Sequence, residues 1–328
     1  MVLTAANVFD RVNASLQEQP AANMRKFSFQ AMGTVCQITF ATGSRVAGGQ
    51  FQTAAVRWVS DFEARYSRFI PDSLIGRINQ NAGKAWVEVD EETDRIFSMC
   101  HELHFFTRGT FDPTALPLMQ LWNWKANPPV LPSDAQIKAA RELVGWQQVQ
   151  RRKGAIFLPH AGMSIDLGGI GKEYAVDRVV QLAAQHGIGN VLVDFGQDIR
   201  VAGVPAGKPA WHIGLEDAFN PGKCWAGVAA KDQAVASSGD YLRNFQVNGR
   251  RYGHIIDPRS GFPVDNGCRA VSIIAPTCTV AGILSTTAFI LGPTEGLKLI
   301  GSYLGAEGVI TTDNSRQQSR RFHEYVTR

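Results

Sequence analysis

The chain has 328 residues, 45% of them hydrophobic and 19% charged, with a formal net charge of +4. That length and apolar content build a substantial core, and a charge so small and dispersed argues against a nucleic-acid-binding protein. No apolar run approaches the roughly eighteen residues of a membrane-spanning helix, and the five cysteines (Cys36, Cys100, Cys224, Cys268 and Cys278) lack any CxxC pair, which disfavours a disulfide framework or a zinc-thiolate site.

Residues 1–25 read as a leader, disordered or weakly helical, with a linker over Gln17–Ala22. They carry no basic stretch ahead of an apolar one and no small-residue cleavage pattern, so the expected location is cytoplasmic, without membrane insertion. Residues 26–328 read as one domain. Phe27–Phe40 alternates like a hairpin interrupted at Met32-Gly33-Thr34. Ala54–Tyr66 is periodic at 3.6, with Val56, Val59, Phe62 and Tyr66 on one face, and a short second helix ends near Asn79. Glu91–Thr107 predicts a third helix, and Ser133 is the N-cap of another that runs to Val144.

Strands are expected at Gln147–Val149, Ala155–Leu158 and Ser164–Asp166. The last turns through Gly168, Gly169 and Gly171 into a helix that ends near His186. Asn190–Val201 predicts a buried strand leading into a turn; Trp211–Leu215, Trp225–Val228, Ala234–Ser237, Ala270–Ile274 and Gly308–Thr312 predict strands, Tyr252–Asn266 a loop and Thr279–Leu291 an apolar helix. Strand pairs interleaved with long helices predict a mixed α/β or α+β fold.

The glycine turn before the Lys172 helix has a physical use, because glycines let backbone amides approach a phosphate and the first helical amides have no intrahelical partner. It satisfies neither the dinucleotide nor the P-loop fingerprint, and a packed βα-turn that binds nothing fits it equally well. His254, in a loop before Asp257-Pro258, is a candidate acid or base. Asp112, before Pro113, either caps Thr114 or accepts a hydrogen bond from a ligand. His101 and His104 share a helix face but lack a third metal ligand, so they read as a core-edge pair.

The segments AMGT (Ala31–Thr34), YSRFIPDSLIGRIN (Tyr66–Asn79), GTFDPTALPLMQLW (Gly109–Trp122), IDLGGIGKEYAVDRV (Ile165–Val179), ASSGDY (Ala236–Tyr241), HIIDPRSGFPV (His254–Val264) and the LST and FILG of Ala275–Gly292 lie in a fixed order. Together they resemble the ApbE family of FAD:protein FMN transferases. The resemblance implies an α+β fold in two parts with the flavin in the cleft between them. It also implies a Mg²⁺-dependent reaction in which FAD is cut at its pyrophosphate, FMN is joined to a threonine or serine of an acceptor flavoprotein, and AMP leaves.

By the same resemblance Met32, Ser67, Phe69, Asp112, Tyr174 and Ile256 belong to the FAD site, with Lys172 beside the phosphates. His254 assists the acceptor hydroxyl, and the Gly171 carbonyl and Thr286 hydroxyl hold the metal. One departure bears on this: the family's metal-binding helix has an aspartate four residues before the threonine, where this chain has Gly282. Loss of that carboxylate implies an alternative, an FAD-binding protein of the same fold with lost or altered activity, such as an FAD carrier or regulator or an FAD pyrophosphatase. Asp240 and Asp265 are the candidates to replace it. Gln197 likewise stands where the family has a glycine.

Overall fold

The computed structural model describes residues 4–19 and 24–327. Its centre is a nine-stranded antiparallel sheet whose strands lie side by side in chain order: Gln17–Gln19, Arg25–Ala31, Thr34–Ala41, Asn190–Phe195, Asp198–Ala202, Ala234–Gly239, Cys268–Ala275, Glu307–Thr312 and Arg316–Gln318. The fold is therefore α+β.

Alternation along the strands feeds two cores. Ala234, Ala236, Ile273 and Ile310 face the main core with the helices Arg45–Tyr66, Gly171–Gln185 and Cys278–Leu291; Val235, Ile274 and Val309 face the other side and pack against Trp211, Ile213, Leu215 and Val228. The strands that carry this second layer, Trp211–Asp217 and Asn220–Ala230, form their own hairpin.

A third cluster joins Leu118, Trp122 and Ile137 to Phe245 and Ile256, and Trp122 Nε1 donates to the Gly261 carbonyl at 2.8 Å. It fixes the loop that carries His254.

Several expectations need correction. The stretch read as a leader is built into the domain: Val8–Ala14 is a helix with Val8 and Val12 fully buried, and Arg11 pairs with Glu63 at 2.7 Å. Gln17–Gln19, assigned to a linker, is the edge strand paired with Arg25–Ala31; the rest of that linker call, residues 20–22, lies outside the described residues. The expected strand Gln147–Val149 is displaced, because Trp146–Gln148 turns as a 3₁₀ helix around the buried Trp146 and the strand follows at Gln150–Arg152.

Ser164–Asp166 alternates but forms no strand. Its backbone is paired by a side chain instead: the Asn79 amide donates to the Ile165 carbonyl at 3.0 Å and accepts from the Ile165 N–H at 2.7 Å, while Asp166 N–H donates to Pro113. The loop Tyr252–Asn266 contains the end of the strand Arg250–Gly253 and the two-residue pair Ile256–Asp257 with Phe262–Pro263.

Candidate active site

A cavity of about 950 Å³ opens between the central strands of the sheet, the Trp211–Asp217 and Asn220–Ala230 hairpin, the Gly171–Gln185 and Cys278–Leu291 helices and the His254 loop. Met32, Phe69, Asp112, Lys172, His254, Ile256 and Thr286 all line it. Residues distant in sequence are thus brought to one chamber.

Met32 sits at the tip of the first hairpin with φ 51°, and Gly33 follows at φ 73°; this left-handed pair makes the two-residue turn that closes the hairpin. The turn is pinned from below, since Met32 N–H donates to the buried Glu63 carboxylate at 2.9 Å. Phe69 is 70% exposed at the rim, with the Arg68 guanidinium 4.2 Å from its ring centre. Arg68 also pairs with Asp166 at 3.3 Å, tying that rim to the glycine turn. Burial raises the Asp166 carboxyl above its ordinary range, and the Arg68 charge opposes the shift.

Three candidates lie off the cavity lining. Tyr174 points into an aromatic stack, 5.7 Å from Phe62 and 6.3 Å from Trp58 between ring centres, because one helical step from Glu173 turns it toward the Arg45–Tyr66 helix. Ser67 terminates that helix and its carbonyl accepts from the Ser73 hydroxyl at 2.7 Å. Gly171 is buried at the first position of its helix, 3.6 Å from Phe62 as measured from where a Cβ would stand, while Lys172 and Glu173 after it reach the chamber.

Asp112 takes the capping reading of the two left open. Its Oδ1 accepts from Thr114 N–H at 2.8 Å and its Oδ2 from Trp146 N–H at 3.0 Å, with His104 Nδ1 3.5 Å away. The carboxylate is occupied in holding this loop together. His101 is exposed and His104 half-buried.

His254 is half-buried. Its Nδ1 lies 3.2 Å from the Arg243 carbonyl, which only accepts, so the neutral ring carries its proton on Nδ1 and leaves the Nε2 lone pair free. Burial, helped by the Arg243 charge, lowers its pKa to about 4. At neutral pH the imidazole is therefore uncharged.

On the opposite wall, Lys172 is bonded to the buried Asp198, and Glu173 stands next to it, 8% exposed. Burial first, and then the Asp198 charge, push Glu173 up to about 8. Its Oε2 has no hydrogen-bond partner among the described residues. The side chain lies against Gly282: a Cβ built there would meet Glu173 Cγ at 2.6 Å and Oε1 at 3.1 Å. One turn along the same helix, the Thr286 hydroxyl is 2.8 Å from Ser238 Oγ, which also meets Ser285 Oγ at 2.8 Å.

Sequence reasoning missed Glu173, whose only signal was a carboxylate directly after the lysine of a glycine turn. The replacements it named are engaged elsewhere. Asp240 pairs through Oδ2 with Arg251 at 2.8 Å beside Gly253 and, although its Oδ1 is unpartnered among the described residues, it is not on the cavity lining; Asp265 pairs with Arg250 at 2.9 Å on the surface. Among the described residues no group of three His, Cys, Asp or Glu side chains could hold a metal, so a cation here needs hydroxyl or carbonyl ligands. Glu173, whose buried Oε2 lacks a partner among the described residues, and Thr286, with its hydroxyl, both line the cavity, and oxygen donors of this kind fit a hard divalent ion.

The ApbE family model matches residues 32–310. The FAD:protein FMN transferase of Treponema pallidum (strain Nichols) is 32% identical over 264 residues, covering 75% of this chain and 72% of its own length. That of Vibrio cholerae serotype O1 is 28% identical over 284 residues, 85% of each chain. Among solved structures, the ApbE protein of Thermotoga maritima MSB8 superposes with a TM-score of 0.84 at 30% identity, covering 93% of this chain and 100% of its own. The flavin transferase ApbE of Vibrio cholerae superposes at 0.81 and 25% identity, covering 94% and 99%.

Proposed function

The chain belongs to the ApbE family, and from that premise we propose that it is an FAD:protein FMN transferase acting on a threonine or serine hydroxyl of an acceptor flavoprotein. The observation that carries the reading is the single chamber joining a positioned base, His254, to the lysine and glycine turn of the opposite wall. Its volume, about 950 Å³, suits a dinucleotide.

The roles follow from position. Phe69 offers an exposed ring for stacking, Met32 and Ile256 apolar walls, and Lys172 a charge beside the pyrophosphate. His254 Nε2 takes the proton of the acceptor hydroxyl as its oxygen bonds to the FMN phosphorus. The P–O bond to the bridging oxygen breaks and AMP departs with that electron pair. The neutral ring fits this task, and the Arg243 carbonyl fixes its orientation.

Mg²⁺ is part of the proposal: bound between the Gly171 carbonyl, Thr286 and a carboxylate, it would neutralise charge on the pyrophosphate. Tyr174 and Ser67 support the site from behind by packing, and Asp112 by holding its loop.

A cytoplasmic location is proposed from cysteine usage, all five thiols being free and Cys224 exposed. Among the described residues no helix is long and apolar enough to cross a membrane. Mass spectrometry of a threonine-bearing acceptor incubated with the protein, FAD and Mg²⁺ tests the function. The expected product gains the mass of FMN less water; an unmodified acceptor alongside intact FAD contradicts the reading.

A further inference from the structure

We infer that Glu173 is the carboxylate ligand of the divalent cation in this chain, reaching from the Gly171–Gln185 helix into the space that a side chain at position 282 would otherwise occupy. The inference rests on the transferase reading for the presence of a cation, and on geometry for the ligand.

Three observations converge. The absent Cβ of Gly282 is not an empty space: Glu173 Cγ and Oε1 stand 2.6 and 3.1 Å from it, so the glycine makes room for this particular side chain. Gly282 and Thr286 are one helical turn apart and share a face, so a carboxylate at Gly282 lies on the same side as the Thr286 hydroxyl. And Glu173 is buried against the cavity with one oxygen unpartnered among the described residues, a costly arrangement for a group that contributes only to packing.

Lys172 is bonded to Asp198 and forms no ion pair with Glu173 among the described residues, so it does not occupy the free Glu173 oxygen. One carboxylate, one hydroxyl and one carbonyl are few ligands, but Mg²⁺ commonly keeps waters and takes substrate phosphates for the rest.

The register is fixed by Asp177, one turn after Glu173. Its carboxylate accepts from Cys278 N–H at 2.9 Å and Thr279 N–H at 3.0 Å, at the start of the helix that carries Gly282 four residues beyond Cys278. The two helices run antiparallel here, and one turn back on the first meets one turn on along the second.

The test is Mn²⁺ binding to the apoprotein, read by the loss of free-ion signal in electron paramagnetic resonance, for the native chain, Glu173→Gln, and the double variant Glu173→Gly with Gly282→Asp. The native chain is expected to bind Mn²⁺, Glu173→Gln to bind at least about ten-fold more weakly, and the double variant, with its carboxylate returned to the other helix, to regain most of the affinity. Circular dichroism of Glu173→Gln is expected to match the native chain, so weakened binding is not unfolding. Equal Mn²⁺ affinity in Glu173→Gln, or no binding by the native chain, overturns the inference. Acceptor labelling in the same preparations separates the two claims: labelling with Glu173-independent metal binding sinks the ligand assignment alone, whereas Glu173-dependent binding without labelling sinks the transferase reading alone.

Discussion

Asp177 grips Thr279 twice, its Oδ2 accepting from the Thr279 amide at 3.0 Å and from the Thr279 hydroxyl at 2.8 Å, across a hundred residues of chain. With Cys278 N–H on Oδ1 and Thr277 Oγ1 accepting from Val280 N–H at 3.3 Å, the first three amides of the Cys278–Leu291 helix are all satisfied. Arg200 closes the network at 2.8 Å. This joint sets where Gly282 and Thr286 meet the cavity.

Asp177→Ala removes the cap, the charged hydrogen bonds and the partner of Arg200 together. The expected loss is about 3 kcal/mol, from the usual worth of a cap and of hydrogen bonds to a buried charge. Urea denaturation checks it. A midpoint within error of the native chain's would show that the joint is not structural.

Gly282→Asp alone puts a Cβ 2.6 Å from Glu173 Cγ and a second carboxylate beside the first. It is expected to cost about 2 kcal/mol through overpacking, and Glu173→Gly in the same chain is expected to restore most of that. Thermal unfolding of the single and double variants decides; additive effects would mean that the two positions do not share one space.

Phe69 is exposed and holds nothing in the core. Phe69→Ala is therefore expected to leave stability within about 0.5 kcal/mol, yet to weaken FAD binding roughly ten-fold through lost ring stacking. Fluorescence titration with FAD measures the second effect, and unchanged affinity would remove Phe69 from the site.

His254 titrates at about 4, below its ordinary 6.5, because burial and the Arg243 charge disfavour the imidazolium. The folded chain thus binds fewer protons than the unfolded one between those values. This group's effect on stability is constant above pH 6.5 and turns unfavourable as pH falls toward 4. The base is present throughout neutral pH, and the acid limb of the transfer rate is expected nearer 4 than 6.5. Imidazole NMR titration checks the ionisation; a midpoint at or above 6 would contradict it.

Much of this was legible in sequence wherever local signals and burial agree. The Met32-Gly33 interruption of an alternating run marked the hairpin turn, Ser133 capped the predicted helix, and the apolar Thr279–Leu291 run was the buried helix. Signals failed where a distant group replaces a local partner. Ser164–Asp166 alternates like a strand, but the Asn79 side chain satisfies its backbone. Tyr174 sits inside a matching motif, yet the helix turns it from the chamber toward Phe62. Gly282 read as a missing ligand because the resemblance to the ApbE family compares one helix at a time. The carboxylate that stands there comes from residue 173, and only the packing of the two helices shows it.

The most direct measurement follows AMP release and covalent flavin on a threonine-bearing acceptor together, over one time course with FAD and Mg²⁺, for the native chain and His254→Ala. The account predicts that the two products rise in equal amounts with the native chain and that both stop in the variant while FAD still binds. With the native chain, AMP released while the acceptor stays unlabelled, or FAD bound with neither product formed, would contradict it, as would unchanged product formation by His254→Ala.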